Sequence, residues 1–239
     1  YYSTSCGVGS DANVWKTQAA PTLTYLKAKP LNRQAMSAAV EAMAGGGALP
    51  QESLGEALKE EEAFAAFISA KNPDDFEAQE RWYRWSCQVE ELDREQLLER
   101  LRLRYEANSR LVLTWKDGEY VSQPIEALGD IKDISIQKRG SGGVADELVI
   151  ETGTQKIKVI SEHNIRSVLS QKASGIVLQD GTEIEAMNLL PSGFFVIKTG
   201  KEKGNVVGYS LIGGGFGHGV GMSQNGAREM AKYGYDAQD

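Results

Sequence analysis

A glycine-rich segment near the end of the sequence, residues 213 to 227, carries the residues best suited to chemistry. It reads GGGFGHGVGMSQNGA and is called the glycine loop below. Glycines adopt backbone conformations that other residues resist, and they leave no side chains to block a ligand. His218 lies between two of them, and an imidazole, with an ordinary pKa of about 6.5, exchanges protons near neutral pH. We therefore expect the loop to admit a long substrate. His218 then has either a supporting catalytic role or a structural hydrogen bond, and both interpretations stay open.

The neighbours of His218 complete the candidate site. Gly217 and Gly219 are predicted to contact the substrate, because a glycine allows a ligand to approach the backbone closely. Ser223 and Gln224 precede a predicted helix, where each can cap the helix or bind a substrate hydroxyl. Capping is the simpler interpretation for Ser223, which is also a candidate binding residue. Gln224 is assigned a supporting catalytic role beside His218.

The spacing of the glycines, serines, cysteines and histidines argues against other classes of functional site. The glycines do not fit G-x-G-x-x-G, and no G-K-[ST] follows them, which argues against a nucleotide site. No G-x-S-x-G segment is present to carry a nucleophilic serine. The chain has two cysteines and two histidines, none at the spacing of a zinc site, so we expect no metal and no cofactor. The second histidine, His163, is predicted at the start of a short helix without a functional role.

Composition limits the partners. The net charge is -7 and the pI is about 5.1, the wrong sign for a protein that tracks nucleic-acid phosphates or an anionic membrane surface. No apolar stretch is long enough for a transmembrane helix. Cys6 and Cys87 are either a disulfide, in an extracytoplasmic protein, or two unrelated buried thiols.

The elements that position the candidate site follow from hydrophobic spacing. Residues 1–29 are rich in Ser, Thr, Gly and Asn and predict loops. Between residues 34 and 70, apolar side chains recur at helical spacing and predict two helices divided by the glycines 45–47. Residues 81–89, which include Tyr83 and Trp85, alternate at a strand period.

Beyond that strand the chain returns to a helix and then to strands. Asp93 is predicted to cap a helix that carries Leu97 and Leu101. Strands are then predicted at 131–136, 148–150, 157–160, 194–197 and 206–212, with a hairpin across Gly153 and Thr154. The order predicts an α+β fold, a strand-rich core with an inserted helical segment.

Four blocks of the sequence together resemble the stage II sporulation protein D (SpoIID/LytB) family. The most specific is the string GFGHGVGMSQ followed by Gly226 and Ala227. Weaker blocks agree in order: Tyr2–Ser5 with Asp11–Trp15, the aromatic run at 82–85, and residues 165–169 with 190–195. The resemblance implies a SpoIID-like fold in which 1–29 and 74–239 form a catalytic domain, truncated at both ends, and 30–73 is a helical insertion.

The resemblance also implies an activity. Such proteins are lytic transglycosylases that cleave glycan strands of peptidoglycan, often strands stripped of their peptides, during engulfment or wall remodelling. One carboxylic acid protonates the glycosidic oxygen and then takes a proton from the sugar's own 6-hydroxyl, leaving a 1,6-anhydro end. The family places this Glu upstream of the point where the chain begins, so no residue here is named as the acid. The resemblance further implies an extracytoplasmic location, other wall hydrolases as partners, and room for a membrane anchor upstream.

We expect Tyr83 and Trp85 to line the sugar groove with His218 and Gln224, since aromatic faces stack on pyranose rings. Neighbouring strand residues point to opposite faces, so at least one of Trp82 and Trp85 is expected in the core. Two other functions stay open: a non-catalytic glycan-binding or amidase-enhancing module, and a purely structural partner that binds no glycan.

Overall fold

Ten strands form two antiparallel sheets in the part of the chain that this computed structural model describes, residues 1–17, 23, 26–33, 52–172, 175–185 and 187–236. In chain order the strands are β1 Trp85–Val89, β2 Val112–Lys116, β3 Glu119–Val121, β4 Ile131–Arg139, β5 Ala145–Thr152, β6 Lys156–Ile160, β7 Gly175–Leu178, β8 Glu183–Ile184, β9 Phe195–Glu202 and β10 Asn205–Gly213. The first sheet has the order β8-β7-β1-β10-β9, and the second has β3-β2-β6-β5-β4.

Five α-helices lie within the same described residues, and the α+β class predicted from the sequence is confirmed. They are α1 Glu52–Ala57, α2 Glu61–Ser69, α3 Arg94–Ala107, α4 Glu162–Val168 and α5 Gln224–Lys232. Short 3₁₀ helices span Ala12–Trp15 and Ser141–Gly143. None of these described helices is long and apolar enough to cross a membrane.

The two sheets share one hydrophobic core. Burial alternates along β1, where Trp85, Cys87 and Val89 point inward and the two residues between them are exposed. Leu97 and Leu101 of α3 join the same core. All five residues of β1 pair with the last five residues of β10, and Trp85 lies opposite Gly213. The glycine loop therefore begins directly beside Trp85.

Helices α1 and α2 pack against the loops at the start of the chain. Phe64 and Ile68 of α2 form a second buried cluster with Val14, Phe194 and Val220. Part of the predicted insertion, 30–73, therefore shares a core with residues of the predicted catalytic domain. The division of the chain into those two units stays a prediction.

Residues 34–70 were predicted to be helical, and the structure describes two helices in the later half of this range. Residues 34–51, with the glycines predicted to divide the helices, lie outside the described residues. The later half, predicted as one helix, breaks between α1 and α2. In one continuous helix Leu58 and Phe64 would lie on different faces, and the break allows both to enter the second cluster.

Several local predictions are confirmed. The β5–β6 hairpin turns at Gly153 and Thr154, and the carboxylate of Asp93 accepts the Gln96 N–H at 2.9 Å to cap α3. The strand predicted from residue 81 is wrong over 81–84, which form turns. There the Arg84 guanidinium donates to the carbonyl oxygens of Cys6 (2.9 Å) and Ala70 (3.0 Å), joining segments that a strand would keep apart.

The cysteine alternatives are also resolved in this structure. Cys6 and Cys87 are buried thiols and are not joined by a disulfide. Burial raises the pKa of the Cys6 thiol to about 12, so the group stays protonated and packs as a small apolar residue.

Candidate functional site

The glycine loop is locked to the N-terminal segment by backbone hydrogen bonds. Phe216 N–H donates to the Thr4 carbonyl at 2.7 Å, and Gln224 N–H donates to the Tyr2 carbonyl at 2.9 Å. Ser10 N–H donates to the Gly219 carbonyl at 2.7 Å. Segments more than 200 positions apart in sequence therefore form one continuous backbone surface.

The glycines of the loop accommodate the protein's own atoms. Gly219 has φ +75°, and a Cβ built there would lie 2.4 Å from Cε2 of Phe194. A Cβ at Gly217 would lie 2.7 Å from Cβ of Tyr2. Gly219 is buried and Gly217 is only partly exposed, so neither offers much surface to a ligand in this structure, and their contact with substrate stays a prediction. The space that glycine provides is filled by packing rather than left open for a ligand.

Both ring nitrogens of His218 bond to the backbone. The Val220 N–H donates to Nδ1 at 3.1 Å, which leaves the proton on Nε2, and Nε2–H donates to the Tyr1 carbonyl at 2.9 Å. Burial lowers the pKa of the imidazole below its ordinary value of 6.5, and the neutral ring suits these two bonds. In this conformation His218 therefore makes structural hydrogen bonds. Proton transfer by the imidazole would require breaking one of these two bonds. Its catalytic role stays a prediction.

Trp15 lies next to the His218 ring and is open to solvent. The two ring centroids are 5.6 Å apart with an interplanar angle of 63°, and the Trp15 residue is 38% exposed. The sequence placed Trp15 only within a block of family resemblance. The loop and the 3₁₀ helix together make it an exposed aromatic surface.

Ser223 and Gln224 begin α5. The Ser223 hydroxyl accepts the Gly226 N–H at 3.2 Å, so the capping interpretation is confirmed. Ser223 is buried, and its role as a substrate-binding residue finds no accessible surface. The Gln224 residue is exposed at the helix start, where a ligand can reach it.

Glu77 is the functional candidate that sequence reasoning missed. Its residue is only 1% exposed, and its Oε1 accepts hydrogen bonds from the Ser5 N–H at 3.0 Å and the Ser223 hydroxyl at 2.8 Å. Burial raises the pKa of the carboxyl to about 7. Its Oε2 is buried and has no hydrogen-bond partner within the described residues. Glu77 lies in no motif, and only its distant partners reveal it.

Tyr83 and Trp85 lie under the loop instead of lining a groove. Both are buried, so neither ring offers a face to a sugar in this structure, and their binding role stays a prediction. Trp85 Nε1–H donates to the Gly215 carbonyl at 3.1 Å, and the Tyr83 hydroxyl donates to Asp75 Oδ2 at 2.5 Å. Of the aromatic run, Trp82 is partly buried and its ring packs on Phe216, with centroids 4.5 Å apart. These rings fix the loop from below.

A comparison with family models finds a match to the sequence. A family described as "Domain of unknown function (DUF8618)" matches residues 10–221, most of the chain. The chain belongs to this family. No curated protein matches the sequence. In this DUF8618 chain the matched range contains Trp15, Glu77 and His218, and it ends just before Ser223.

A buried ion pair lies beside the loop of the DUF8618 chain. Arg166 Nη1 lies 2.9 Å from Glu162 Oε2 in a buried ion pair, and the same guanidinium donates to the carbonyls of Leu190 and Pro191. Within the described residues no three His, Cys, Asp or Glu side chains are grouped so that they could hold a metal ion. The accessible part of the site is thus aromatic and polar surface on a rigid backbone, which suits binding.

Proposed function

We propose that the chain binds glycan strands of peptidoglycan and forms the substrate-recognition part of a lytic transglycosylase of the SpoIID/LytB type. The observation that carries the proposal is that the other three blocks of resemblance converge on the first, the glycine loop. Tyr2 and Thr4 bond to the loop, Trp15 contacts His218, and Trp82 packs on Phe216. The fourth block contributes Pro191, whose carbonyl accepts the Gly217 N–H at 2.9 Å.

This convergence supports the proposal because the blocks are separated by long stretches of the chain. Core packing accounts for Val14, Phe194 and Val220, and the same segments also bring the exposed Trp15 beside the loop. The surface they build is aromatic at Trp15 and polar at Gln224, and sugars are bound by that combination of stacking and hydrogen bonding.

A second candidate is a glycan-binding module without catalytic activity. It is favoured by the state of the acidic groups at the loop. Glu77 is buried beneath backbone and the Ser223 hydroxyl, and Glu162 is paired with Arg166. Neither carboxyl is placed to protonate a glycosidic oxygen in this conformation, which fits an acid supplied from elsewhere or none.

The test incubates the protein with denuded glycan strands. Retention of the protein on the strands supports glycan recognition, and 1,6-anhydromuramic ends detected by mass spectrometry support the transglycosylase. Binding without new ends supports the non-catalytic module. Release of reducing ends alone overturns the transglycosylase proposal, and failure to bind overturns glycan recognition.

A further inference from the structure

We infer that Trp15 is a stacking platform for one pyranose ring of the bound strand, held in place by His218. This inference rests on the proposed function and assigns a specific residue to it. Trp15 is 38% exposed although it is a large aromatic residue, and one side of its ring system is in contact with the imidazole. With their planes 63° apart the two rings are not stacked face to face, and the exposed 38% of Trp15 is the surface offered to a ligand.

The segment that carries Trp15 is built to hold it outward. Ala12 and Val14 of the same 3₁₀ helix are buried, and they anchor the turn in the second cluster. At its start, Asp11 Oδ1 accepts the Asn13 N–H at 2.9 Å. At its end, Lys16 adopts a left-handed conformation with φ 52°, and its N–H donates to the Asn13 carbonyl at 3.1 Å. A platform that is ordered before binding loses little conformational freedom when a ligand arrives.

His218 supports the indole from the other side. Its ring is fixed through Nδ1 and Nε2 to the backbone of Val220 and Tyr1, so it cannot rotate without losing both bonds. Lys16 adds a further tie, because its Nζ lies 2.5 Å from Oδ1 of the buried Asp146. The aromatic surface is therefore fixed by two separate parts of the fold.

The chemistry of this surface points to a sugar ring. The axial C–H groups of a pyranose present an apolar face that packs on an indole, while the hydroxyl groups at the ring edge need polar neighbours. Asn13 is exposed two positions from Trp15 and provides such a neighbour, while the ammonium group of Lys16 is already paired with Asp146. A densely charged polyanion is disfavoured by the net charge of -7, and a glycan strand, with at most one carboxylate on every second sugar, has a lower charge density.

The second exposed tryptophan, Trp115, offers a matched control. It is 44% exposed, but it lies in β2 opposite Tyr120 of β3, and the two rings form an edge-to-face pair with centroids 4.9 Å apart. Cross-strand aromatic pairs stabilise a hairpin, which explains why a tryptophan is found there.

The experiment compares the affinity of the wild type, Trp15→Ala, Trp15→Phe and Trp115→Ala for denuded glycan strands by co-sedimentation, with far-UV circular dichroism to verify folding. We expect Trp15→Ala to weaken binding about tenfold and Trp15→Phe to weaken it less, because a smaller aromatic face remains. Trp115→Ala should bind like the wild type. In Trp115→Ala the other exposed tryptophan is absent, so the fluorescence of Trp15 is easier to follow. We expect the tryptophan fluorescence of this variant to shift when strands are added.

Three outcomes would overturn the inference, and one of them also rejects the proposed function. If the wild type binds and Trp15→Ala binds equally well, the platform is wrong while glycan recognition stands. Equal losses in Trp15→Ala and Trp115→Ala also contradict a specific platform. If the wild type itself does not bind, the proposed function fails and this inference fails with it.

Discussion

The Ser223 hydroxyl donates a 2.8 Å hydrogen bond to Glu77 Oε1 while it caps helix α5. The same carboxylate oxygen accepts the Ser5 N–H at 3.0 Å. One buried carboxyl thereby joins the N-terminal segment to the end of the glycine loop. The position of the loop depends on these hydrogen bonds. It therefore also depends on the protonation state of Glu77.

Stability should depend on pH through Glu77. Burial raises the pKa of its carboxyl from 4.5 to about 7, so the folded protein binds this proton more tightly than the unfolded chain. The resulting stabilisation is complete below about pH 4.5 and is lost as the pH rises to about 7, and it amounts to about 3 kcal/mol. We expect Glu77→Gln to remove this decrease between pH 5 and 8, measured as the free energy of unfolding in urea.

The control for this pH dependence is Glu119→Gln, which removes an exposed carboxylate in β3. It should keep the pH profile of the wild type, because Glu119 is exposed and takes no part in the hydrogen bonds of Glu77. A profile for Glu77→Gln that parallels the wild type would show that another group is responsible.

The contrast between Ser223 and Glu77 shows which part of the site the sequence could predict. A helix cap is a local interaction, because the hydroxyl of Ser223 bonds to an N–H only three positions away. The partners of Glu77 lie 72 and 146 positions away, and no spacing rule connects them. Trp85 was assigned to a groove because strand alternation shows which residues share a face but not which face is buried.

Gly219 should be the glycine most sensitive to substitution in the loop. Gly219→Ala forces a side chain into φ +75° and places Cβ 2.4 Å from the Phe194 ring. We expect a loss of about 3 kcal/mol in the free energy of unfolding, part from the backbone and part from overpacking.

Gly204→Ala separates these two contributions. Gly204 has φ +79° in the β9–β10 turn, with nothing within 4 Å of an added Cβ, so it carries only the backbone cost, about 1 kcal/mol. Equal losses in the two variants would mean that the contact with Phe194 relaxes freely and that loop packing is not tight.

The protonation state of His218 gives a spectroscopic prediction. Burial lowers the pKa of its imidazole below 6.5, so the unfolded chain binds this proton more tightly and folding stability should decrease as the pH falls below 6.5. Nitrogen-15 NMR at pH 7 should show the proton on Nε2, with a titration midpoint below 6.5. The signals are assigned with His163→Asn, which removes the other histidine. A proton on Nδ1 would be incompatible with the bond from the Val220 N–H.

The fold was easier to predict than the site, because hydrophobic periodicity is read locally. The β5–β6 hairpin and helix α3 follow directly from spacing and capping residues. Strands β2, β3, β7 and β8 were missed because they are only two to five residues long, too short to show a clear alternating pattern. The break between α1 and α2 was also missed, since it serves a tertiary contact of Phe64 that no local pattern contains.

Phe64 leads to the last prediction, which concerns how the helical segment is held. Arg139 of β4 stacks its guanidinium 4.0 Å from the Phe64 ring centroid and donates to both carboxylate oxygens of Glu61, at 2.6 and 2.9 Å. The Arg139 side chain is 1% exposed and that of Glu61 is 49% exposed, so the buried charge is the guanidinium. Glu61→Ala would leave it without its counter-ion, and we expect a loss of about 2 kcal/mol, between the values for surface and fully buried pairs.

Thermal unfolding of three variants tests this arrangement. Glu60→Ala removes a neighbouring exposed carboxylate and should have little effect. Arg139→Met in the Glu61→Ala background removes the buried charge and keeps an apolar side chain over Phe64, so it should recover part of the loss. If Glu61→Ala and Glu60→Ala unfold at the same temperature, the ion pair contributes no net stability, and the helical segment is held by apolar packing alone.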